Sequence, residues 1–412
     1  MRIALISKAS RLGGGGSQVA TNLANLLRQS GHFCHHFRRD KEYGYDANES
    51  SIYGKYESKI KYIDHRLRKL GGQELLPWEY LHLKSEMFRL NIDVIHVHDT
   101  TTAISPITIG MLSKYFPVVW TMHDFSPFTG GCINSLGCER FKLQCGKCPQ
   151  RDEWPIAGKF DFTSLQLHLK KRLFKENVSY IAPSTFIKNM AVSAGIDKNK
   201  VAVIHNSVDI KTFYPKSKVE SRTRLGLDPA KFTILLLAYS INDRFKGMDD
   251  AIRILQDVDA DFQVLVVGKI SEKDKALFKG VECFFTGFVQ DPDKLNVCYN
   301  SANIFLNCSK ADNFPLVVLQ SLAAGTPVYG YATGGIVEMI TNGSQGILVK
   351  TGDWQELKVK MLEFMQSIKI ADSGTLFSSC RDIVSQLFTD KLFLNETVRH
   401  YRQVITKWRA EK

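Results

Sequence analysis

The sequence of 412 residues contains no uninterrupted apolar run as long as the roughly 18 residues that a membrane-spanning helix needs. The run that comes nearest, residues 232–241 (FTILLLAYSI), indicates a buried strand. The apolar stretch at the N-terminus, MRIALIS, is too short for a signal peptide, and Lys8 follows it directly. These absences lead us to expect a cytoplasmic protein.

The sequence also lacks internal repeats of fixed period and low-complexity tracts. Hydrophobic residues make up 44% of the chain and charged residues 23%, which is typical of a soluble globular protein. This composition excludes a disordered chain, a collagen and a disulfide-dense miniprotein. The chain is too long for one ordinary core, so we expect two domains of roughly 200 residues each.

Acidic residues are scarce in the first half of the chain. Residues 1–200 hold 28 Lys and Arg but 18 Asp and Glu, whereas residues 201–412 hold 26 and 24. This asymmetry indicates an anionic partner for the first half, which could be nucleic acid, a phosphorylated substrate or a lipid surface. We see no nucleic-acid-binding motif and expect no nucleic-acid partner. The basic stretches 38–41, 59–69 and 168–175 together favour anionic lipid, although each alone fits a solvated helix face.

Short apolar runs alternate with segments of helical spacing, which predicts parallel sheets covered on both faces and hence an α/β fold. A polar loop at 206–215 divides the chain. We therefore expect a first domain at 1–205, a second at 206–388, and a helix at 389–412 that packs back on the first domain. The runs taken as strands are 2–7, 33–38, 94–97, 117–122 and 178–182, then 232–238, 262–267, 283–285, 304–306 and 328–330.

Two glycine-rich segments lie between a predicted strand and a predicted helix. The first is 13–16, where backbone N–H groups and the positive helix start favour contact with an anion. A plain flexible turn is one alternative. A dinucleotide fingerprint with Asp40, and so a nicotinamide-dependent oxidoreductase, is another, but Gln18 stands at its third glycine position. The pair Gly334 and Gly335 repeats the arrangement in the second domain, and two such domains would form a cleft for a charged donor and an acceptor.

A series of short motifs runs in order along the chain to about residue 355. After the first glycine loop, the motifs are VIHVHD at 94–99, WTMHD at 120–124, APSTFIK at 182–188, VIHNSVDIKTF at 203–213, KG at 246–247, TGFV at 286–289, SKADNFPLVVLQSLAAGTPV at 309–328, GGIVE at 334–338 and GILV at 346–349. With these motifs the chain resembles the family 4 glycosyltransferases, and within them the bacterial surface-polysaccharide enzymes of the colanic acid and O-antigen type. The resemblance implies a GT-B fold, in which two Rossmann-like doubly wound domains face an interdomain cleft. It also implies retaining transfer that needs no metal cofactor.

The resemblance implies roles for individual residues. His123 matches the histidine beside the donor sugar, as a positioning hydrogen-bond donor, and Lys246 matches the lysine that binds the donor diphosphate. Asp312 and Gln320 stand where the family usually has two glutamates, which hold the donor sugar and the ribose. The catalytic set is thus His123, Lys246 and Asp312. The other donor-binding residues would be Gly15, Gly16, Arg244, Gly287, Val289, Asn313, Phe314, Pro315 and Leu316, and the acceptor side would hold Gly14, His98 and Asp124.

Three departures from the family pattern bear on activity. Ser240 and Ile241 stand where the family has an arginine, and Arg244 lies close by in the sequence. Asp312 is one methylene shorter than glutamate. Gln320 lacks the charge that strengthens a carboxylate–ribose hydrogen bond, a difference of roughly 1 kcal/mol or a little more. These departures keep open a catalytically weakened partner protein that binds a nucleotide-sugar or glycan.

Four cysteines lie close together in the segment 130–150. Cys132, Cys138, Cys145 and Cys148 end in a C-x2-C pair, a spacing that lets two thiolates bind one zinc ion. Free thiols, or disulfides in an exported protein, are the alternatives. We expect a structural zinc with no catalytic role, because four thiolate ligands leave no open coordination position.

The sequence therefore predicts a retaining hexosyltransferase that acts in the biosynthesis of a surface polysaccharide, such as lipopolysaccharide O-antigen or an exopolysaccharide. Its donor would be a UDP- or GDP-linked sugar, and its acceptor a glycan, either lipid-linked through polyprenyl diphosphate or a free oligosaccharide. We expect peripheral attachment to the cytoplasmic face of the inner membrane, where such an acceptor lies.

Overall fold

The computed structural model describes residues 1–10, 13–40, 44–72, 74–174, 177–367 and 374–412. These residues form two compact units. Unit 1 contains Met1–His205 and Phe393–Lys412, and unit 2 contains Asn206–Leu392. Lys41 and Lys175, which belong to the predicted basic stretches, lie outside the described residues.

Unit 1 is built on a seven-stranded parallel sheet with the strand order β3-β2-β1-β4-β5-β6-β7. Its strands are β1 (Arg2–Ser7), β2 (Phe33–Arg38), β3 (Glu49–Ser51), β4 (Val94–Val97), β5 (Val118–Thr121), β6 (Val178–Ala182) and β7 (Val201–Val203). Its helices before the domain boundary are α1 (Gly15–Gln29), α2 (Glu57–Lys69), α3 (Tyr80–Arg89), α4 (Pro106–Leu112), α5 (Thr163–Leu173) and α6 (Thr185–Ser193).

Unit 2 is built on a six-stranded parallel sheet with the strand order β10-β9-β8-β11-β12-β13. Its strands are β8 (Phe232–Ser240), β9 (Phe262–Lys269), β10 (Cys283–Gly287), β11 (Ile304–Asn307), β12 (Val328–Tyr331) and β13 (Gly346–Val349). Its helices are α7 (Lys218–Arg224), α8 (Met248–Asp257), α9 (Glu272–Lys275), α10 (Pro292–Ser301), α11 (Leu316–Ala323), α12 (Ile336–Met339), α13 (Trp354–Ser367) and α14 (Gly374–Leu387).

The central strands are apolar on both faces because helices cover each sheet on both sides. Leu5 and Ile6 of β1 and Leu235 and Leu236 of β8, neighbours whose side chains leave opposite faces of the strand, are buried. Helix α1 shows the matching pattern, since its buried residues follow helical spacing and form one stripe. This arrangement confirms the predicted class, an α/β protein with parallel sheets.

The last helix, α15 (Asp390–Ala410), belongs to unit 1 from Phe393 onward. Its Tyr401 is fully buried, and the hydroxyl of that residue lies 2.6 Å from Nδ1 of His96. His400, one residue earlier, places Nε2 3.2 Å from the Ser179 hydroxyl. The helix is therefore anchored to β4 and β6 of this unit. Among the described residues, no helix is both long and apolar enough to cross a membrane.

Histidines with lowered pKa values make the stability of unit 1 depend on pH. Burial lowers the pKa of His36, His123 and His400 to about 4. An unfolded imidazole has a pKa near 6.5, so between about pH 6.5 and pH 4 each of these imidazoles binds more protons in the unfolded chain than in the folded one. Glu79, whose pKa burial raises to about 7, has the opposite effect and offsets one of them. The free energy of unfolding should therefore fall as the pH falls through this window, by up to about 1.4 kcal/mol per pH unit for each group.

Urea unfolding at pH 7.5, 6.0 and 5.0 measures this dependence. The variant His400→Gln removes one of these groups and should show a shallower loss of stability than the parent protein. A free energy of unfolding that stays constant from pH 7.5 to pH 5.0 would contradict the prediction.

Candidate functional site

In unit 2 the strand order reverses between the neighbouring strands β8 and β11. Open α/β sheets bind ligands at the carboxyl ends of strands at such a point. The loop after β8 carries Lys246, and the loop after β11 carries Asp312. The two loops are joined through the backbone, because the Lys310 N–H donates to the Phe245 carbonyl at 2.8 Å. The structure thus brings together two residues that are 66 positions apart in the sequence.

Lys246 and Asp312 form an ion pair in which Nζ lies 2.6 Å from Oδ2. Their side chains are 28% and 15% exposed, so the pair is partly shielded yet still within reach of a ligand. Burial opposes the charge of Lys246, but the Asp312 carboxylate, helped by Asp243, holds the pKa of Lys246 above its ordinary value. The ammonium group is therefore charged, and it can form charge-assisted hydrogen bonds to an anionic group.

Two glycines allow the loops around this pair to pack closely. Gly247 has φ +59°, and a Cβ added there would lie 2.0 Å from the carbonyl oxygen of Cys308. Gly334 has φ +58°, and its Cβ would lie 1.7 Å from the carbonyl oxygen of Asp312. The next residue, Gly335, donates its N–H to the Asn313 carbonyl at 2.6 Å. The glycine pair expected to line an anion site therefore supports the loop that carries Asp312.

The residues after Asp312 lead into α11. Phe314 is 4% exposed, its ring packs against Phe388 at 5.6 Å, and its carbonyl accepts a hydrogen bond from the Asn206 side chain at 3.2 Å. Pro315 is the N-cap residue of α11, and the half-buried Leu316 is its first residue. This packing fixes the start of the helix beside the ion pair.

Gln320 lies on α11 and is 5% exposed. Its Oε1 accepts a hydrogen bond from the hydroxyl of Tyr299 at 3.0 Å. Burial raises the pKa of Tyr299 well above its ordinary value, so this hydroxyl stays protonated and is the donor of the hydrogen bond. The amide oxygen therefore has a structural partner within unit 2, and a contact with a ribose stays a prediction.

The other predicted donor-side residues lie at the ends of strands or in loops after them. Arg244 is exposed, with its guanidinium carbon 4.7 Å from the centre of the Phe245 ring. Gly287 ends β10 with φ +71°, at a register irregularity, and the half-buried Val289 packs against the core. Ser240 ends β8, and the side chain of the following Ile241 is buried.

An aromatic cluster that no sequence pattern predicted lies at the carboxyl ends of β8, β9 and β10. The rings of Tyr239 and Phe288, which are 55% and 37% exposed, lie 5.2 Å apart. The Lys269 ammonium lies 4.5 Å from the centre of the Tyr239 ring and donates to its hydroxyl at 2.7 Å. No motif marks these residues, because they meet only when the three strands align.

In unit 1 the strand order reverses between β1 and β4, and the glycine loop follows β1. Gly14, with φ +107°, is the N-cap residue of α1, and Gly15 is its first residue. Among the described residues, no atom lies within 4 Å of a Cβ added at either position. A Cβ on Gly16 would meet the His123 ring at 3.1 Å and Cβ of Asp99 at 3.2 Å, so Gly16 permits close packing of α1 against these residues.

Two carboxylates hold the loops around His123 in place. Asp99 follows β4, and its Oδ2 lies 3.1 Å from the Lys8 ammonium and 3.2 Å from the Ser17 hydroxyl. Asp124 accepts the Ser126 N–H at 2.7 Å and the Thr101 hydroxyl at 3.2 Å. Burial, reinforced by Asp99, raises the pKa of Asp124 above its ordinary value. Both carboxylates thus have clear structural partners.

His123 is half-buried at the end of β5, and its Nε2 lies 2.9 Å from Nδ1 of His98. Burial lowers the pKa of His123 to about 4, so its ring is neutral near pH 7. His98 is 1% exposed and lies behind His123. The structure thus places His98 in the interior, where its effect on an acceptor would pass through His123.

Asp40, the acidic residue of the dinucleotide alternative, lies just after β2. Its Oδ2 accepts the Ser10 N–H at 3.1 Å. This contact ties the end of β2 to the loop that follows β1. The carboxylate therefore has a structural partner in the loop that leads to the glycines.

The four clustered cysteines follow the His123 segment. All nine cysteines of the chain are free thiols. Burial raises the pKa of Cys132 to about 12 and also raises the pKa values of Cys145 and Cys148. Within the part of the chain that the structure describes, no three His, Cys, Asp or Glu side chains are grouped so that they could hold a metal ion. The structural zinc stays a prediction.

Two family models match successive parts of the chain. Residues 13–212 match "Glycosyltransferase Family 4", and residues 221–372 match "Glycosyl transferases group 1". Among curated proteins, the chain is 23% identical over 295 residues to a protein of Escherichia coli K12 named as the colanic acid biosynthesis glycosyl transferase WcaC. That alignment covers 70% of this chain and 68% of the relative.

Solved structures of similar fold span nearly the whole chain. Sucrose-phosphate synthase from Thermosynechococcus elongatus has a TM-score of 0.75 at 20% identity, with 98% of this chain and 99% of that chain covered. Anabaena Alr3699/HepE in complex with UDP-glucose has a TM-score of 0.69 at 17% identity, with 98% and 100% covered. These likenesses and the two parallel sheets confirm the predicted pair of Rossmann-like domains of the GT-B class.

The close contact between Gly334 and the Asp312 loop predicts a strong effect of one added methyl group. Gly334→Ala places a Cβ against the Asp312 carbonyl, on a residue with left-handed backbone conformation. The free energy of unfolding of unit 2 should therefore fall by at least about 2 kcal/mol. Urea unfolding measures this change. Gly343→Ala is the matched control, because an added Cβ there meets no described atom within 4 Å. Equal stability of the two variants would contradict the packing.

Proposed function

The chain is a glycosyltransferase of family 4, and we propose that it transfers a sugar from a nucleoside-diphosphate donor to a glycan acceptor in surface-polysaccharide biosynthesis. The relative WcaC, named for colanic acid biosynthesis, supports the pathway, and the UDP-glucose complex of HepE supports the donor class. The observation that carries the proposal is the Lys246–Asp312 ion pair at the switch point of unit 2.

The ion pair can exchange its partner when a donor binds. A diphosphate oxygen is a stronger attractor for the Lys246 ammonium than a single carboxylate, because the diphosphate carries more negative charge. When Lys246 turns to the phosphate, the Asp312 carboxylate becomes available to accept hydrogen bonds from sugar hydroxyls. The start of α11, beside Asp312, adds backbone N–H groups and the positive end of the helix dipole.

The same groups would stabilise the transition state. Departure of the nucleoside diphosphate places negative charge on its phosphate, and the Lys246 ammonium faces that charge as it develops. We propose retention, with the acceptor hydroxyl attacking on the side of the leaving group and a phosphate oxygen taking its proton. Lys246 and the α11 N–H groups then serve binding and catalysis together.

A second candidate is a nucleotide-sugar- or glycan-binding partner with little turnover. Gln320 favours it, because the amide carries no charge and its oxygen already accepts from Tyr299. Transfer of labelled sugar to an acceptor separates the two candidates. The nicotinamide-dependent oxidoreductase is set aside, since the chain is a glycosyltransferase.

Loss of the Lys246 ammonium should weaken donor binding. In Lys246→Ala, affinity for UDP measured by titration calorimetry should fall roughly 10- to 100-fold, because a hydrogen bond to a charged group contributes about 1.5–3 kcal/mol. The double variant Lys246→Ala/Asp312→Asn removes the remaining carboxylate and should recover part of this loss. The matched control Lys279→Ala removes an exposed lysine of the same unit and should bind as the parent does. Unchanged UDP affinity and turnover in Lys246→Ala would contradict the donor site.

We further propose that α2 attaches the protein to an anionic membrane. Asp64, the buried residue of this helix, bonds to Arg39 at 3.0 Å and to Arg68 at 2.8 Å, and so turns the opposite face outward. The guanidinium carbon of Arg66 lies 4.9 Å from the centre of the Tyr62 ring. This mixture of basic, aromatic and aliphatic residues suits the headgroup layer of an anionic membrane. The exposed face carries Lys59, Tyr62, Ile63, Arg66, Lys69 and Leu70.

Charge reversal on this face should abolish attachment. Lys59→Glu/Arg66→Glu/Lys69→Glu should reduce co-flotation with phosphatidylglycerol-containing vesicles at least ten-fold, since each basic residue contributes about 1 kcal/mol near an anionic surface. Vesicles of phosphatidylcholine alone should bind neither protein.

A second triple variant controls for net charge. Lys273→Glu/Lys279→Glu/Lys350→Glu reverses three exposed lysines of unit 2 and should float as the parent does. Equal flotation of the α2 variant and this control would contradict attachment through α2.

A further inference from the structure

Three histidines and a tyrosine form one continuous contact path inside unit 1. His96 and His98 are two residues apart on and just after β4, so both side chains leave the same face. Nδ1 of His96 lies 2.6 Å from the Tyr401 hydroxyl on α15, and Nε2 of His98 lies 3.2 Å from the same nitrogen. Nδ1 of His98 lies 2.9 Å from Nε2 of His123. The path therefore links the terminal helix to the histidine of the candidate site.

We propose that this path holds His123 in one tautomer, with its hydrogen on Nε2 and with Nδ1 as a hydrogen-bond acceptor. The effect of this tautomer on sugar transfer rests on the proposed function, whereas the tautomer itself does not. His98, His96 and Tyr401 act as positioning residues, since each reaches the site only through His123.

The protonation states of the rings follow from their burial. His96, His98 and Tyr401 are each 1% exposed or less. Burial lowers the pKa values of His96 and His98 well below the ordinary value and raises that of Tyr401 well above it. Near pH 7 each imidazole is thus neutral, with one donor and one acceptor nitrogen, and the tyrosine keeps its hydroxyl proton.

The direction of the hydrogen bonds is set at Tyr401. Its buried hydroxyl needs an acceptor, and Nδ1 of His96 supplies one. The hydrogen of His96 then lies on Nε2, which donates to the Thr121 hydroxyl at 2.7 Å. A threonine hydroxyl can accept or donate, so it adapts to this choice.

The remaining hydrogens follow in sequence. The lone pair of His96 Nδ1 already accepts from Tyr401, so the contact from Nε2 of His98 at 3.2 Å is the longer and weaker of two approaches to one nitrogen. It still favours a hydrogen on Nε2 of His98, because two nitrogens without hydrogen would repel each other at this distance. Nδ1 of His98 is then an acceptor, and Nε2 of His123 donates to it. The His98 and His123 rings are inclined by only 25° with centres 5.2 Å apart, a geometry that suits an in-plane hydrogen bond. Nδ1 of His123 is thereby an acceptor, whereas the sequence led us to expect a donor towards the substrate.

The tautomer is measured without any assay of sugar transfer. In protein with ¹⁵N-labelled histidine, the His123 signals, assigned by their loss in His123→Gln, should show hydrogen on Nε2 alone at pH 7. Tyr401→Phe removes the group that sets the direction and should give a mixture of both tautomers. Tyr180→Phe, which alters another buried tyrosine of unit 1 outside the path, should keep the single form. Hydrogen on Nδ1 in the parent, or one unchanged tautomer in Tyr401→Phe, would overturn the proposal.

Kinetics test the consequence for transfer. His98→Gln can accept from His123 and donate to His96, so its kcat should stay within about three-fold of the parent value. His98→Leu can do neither and should lose roughly ten-fold or more in kcat with little change in the donor KM, since a lost hydrogen bond of about 1.4 kcal/mol is ten-fold in rate. Equal kcat values for the two variants would refute the positioning role. Absence of transfer in the parent, with the expected tautomer present, would refute the proposed function and leave the path intact.

Discussion

The ion pair between Lys246 and Asp312 is the contact on which the donor side of this protein depends. It exists because the two central strands of unit 2 end side by side and send their loops towards each other. Gly247 and Gly334 allow these loops to pack closely, since a Cβ at either position would clash with a backbone carbonyl group. An ammonium group held by one carboxylate is charged and correctly placed before a ligand arrives, which lowers the cost of ordering the site.

The candidate site of unit 1 is built around neutral, buried histidines, whereas that of unit 2 is built around an ion pair. Its candidate histidine is neutral and is joined to two further histidines that the core keeps neutral as well. Gly16 lets α1 pack against that ring, and Asp99 ties the surrounding loops through Lys8 and Ser17. Such a side chain has a fixed orientation and a fixed pattern of donor and acceptor atoms, which suits positioning better than proton transfer.

Apolar runs predicted most of the fold because buried parallel strands are apolar along their whole length. The strands β3, β7 and β13 were not predicted as strands, since all three lie at the edges of their sheets, where burial on both faces is incomplete. In the site, the motifs predicted Lys246, Asp312 and His123 but not their partners. Contacts such as His96 with Tyr401, 305 positions apart, arise only when the terminal helix packs on the sheet. The surroundings of Gln320 and the aromatic cluster at Tyr239 could not be predicted for the same reason.

A crystal structure of the protein with UDP tests the central claim most directly. We predict a diphosphate oxygen within about 3 Å of Lys246 Nζ, with the start of α11 against the phosphate and the Asp312 carboxylate turned away from the ammonium group. UDP bound to another part of unit 2, with the Lys246–Asp312 pair still closed, would contradict it.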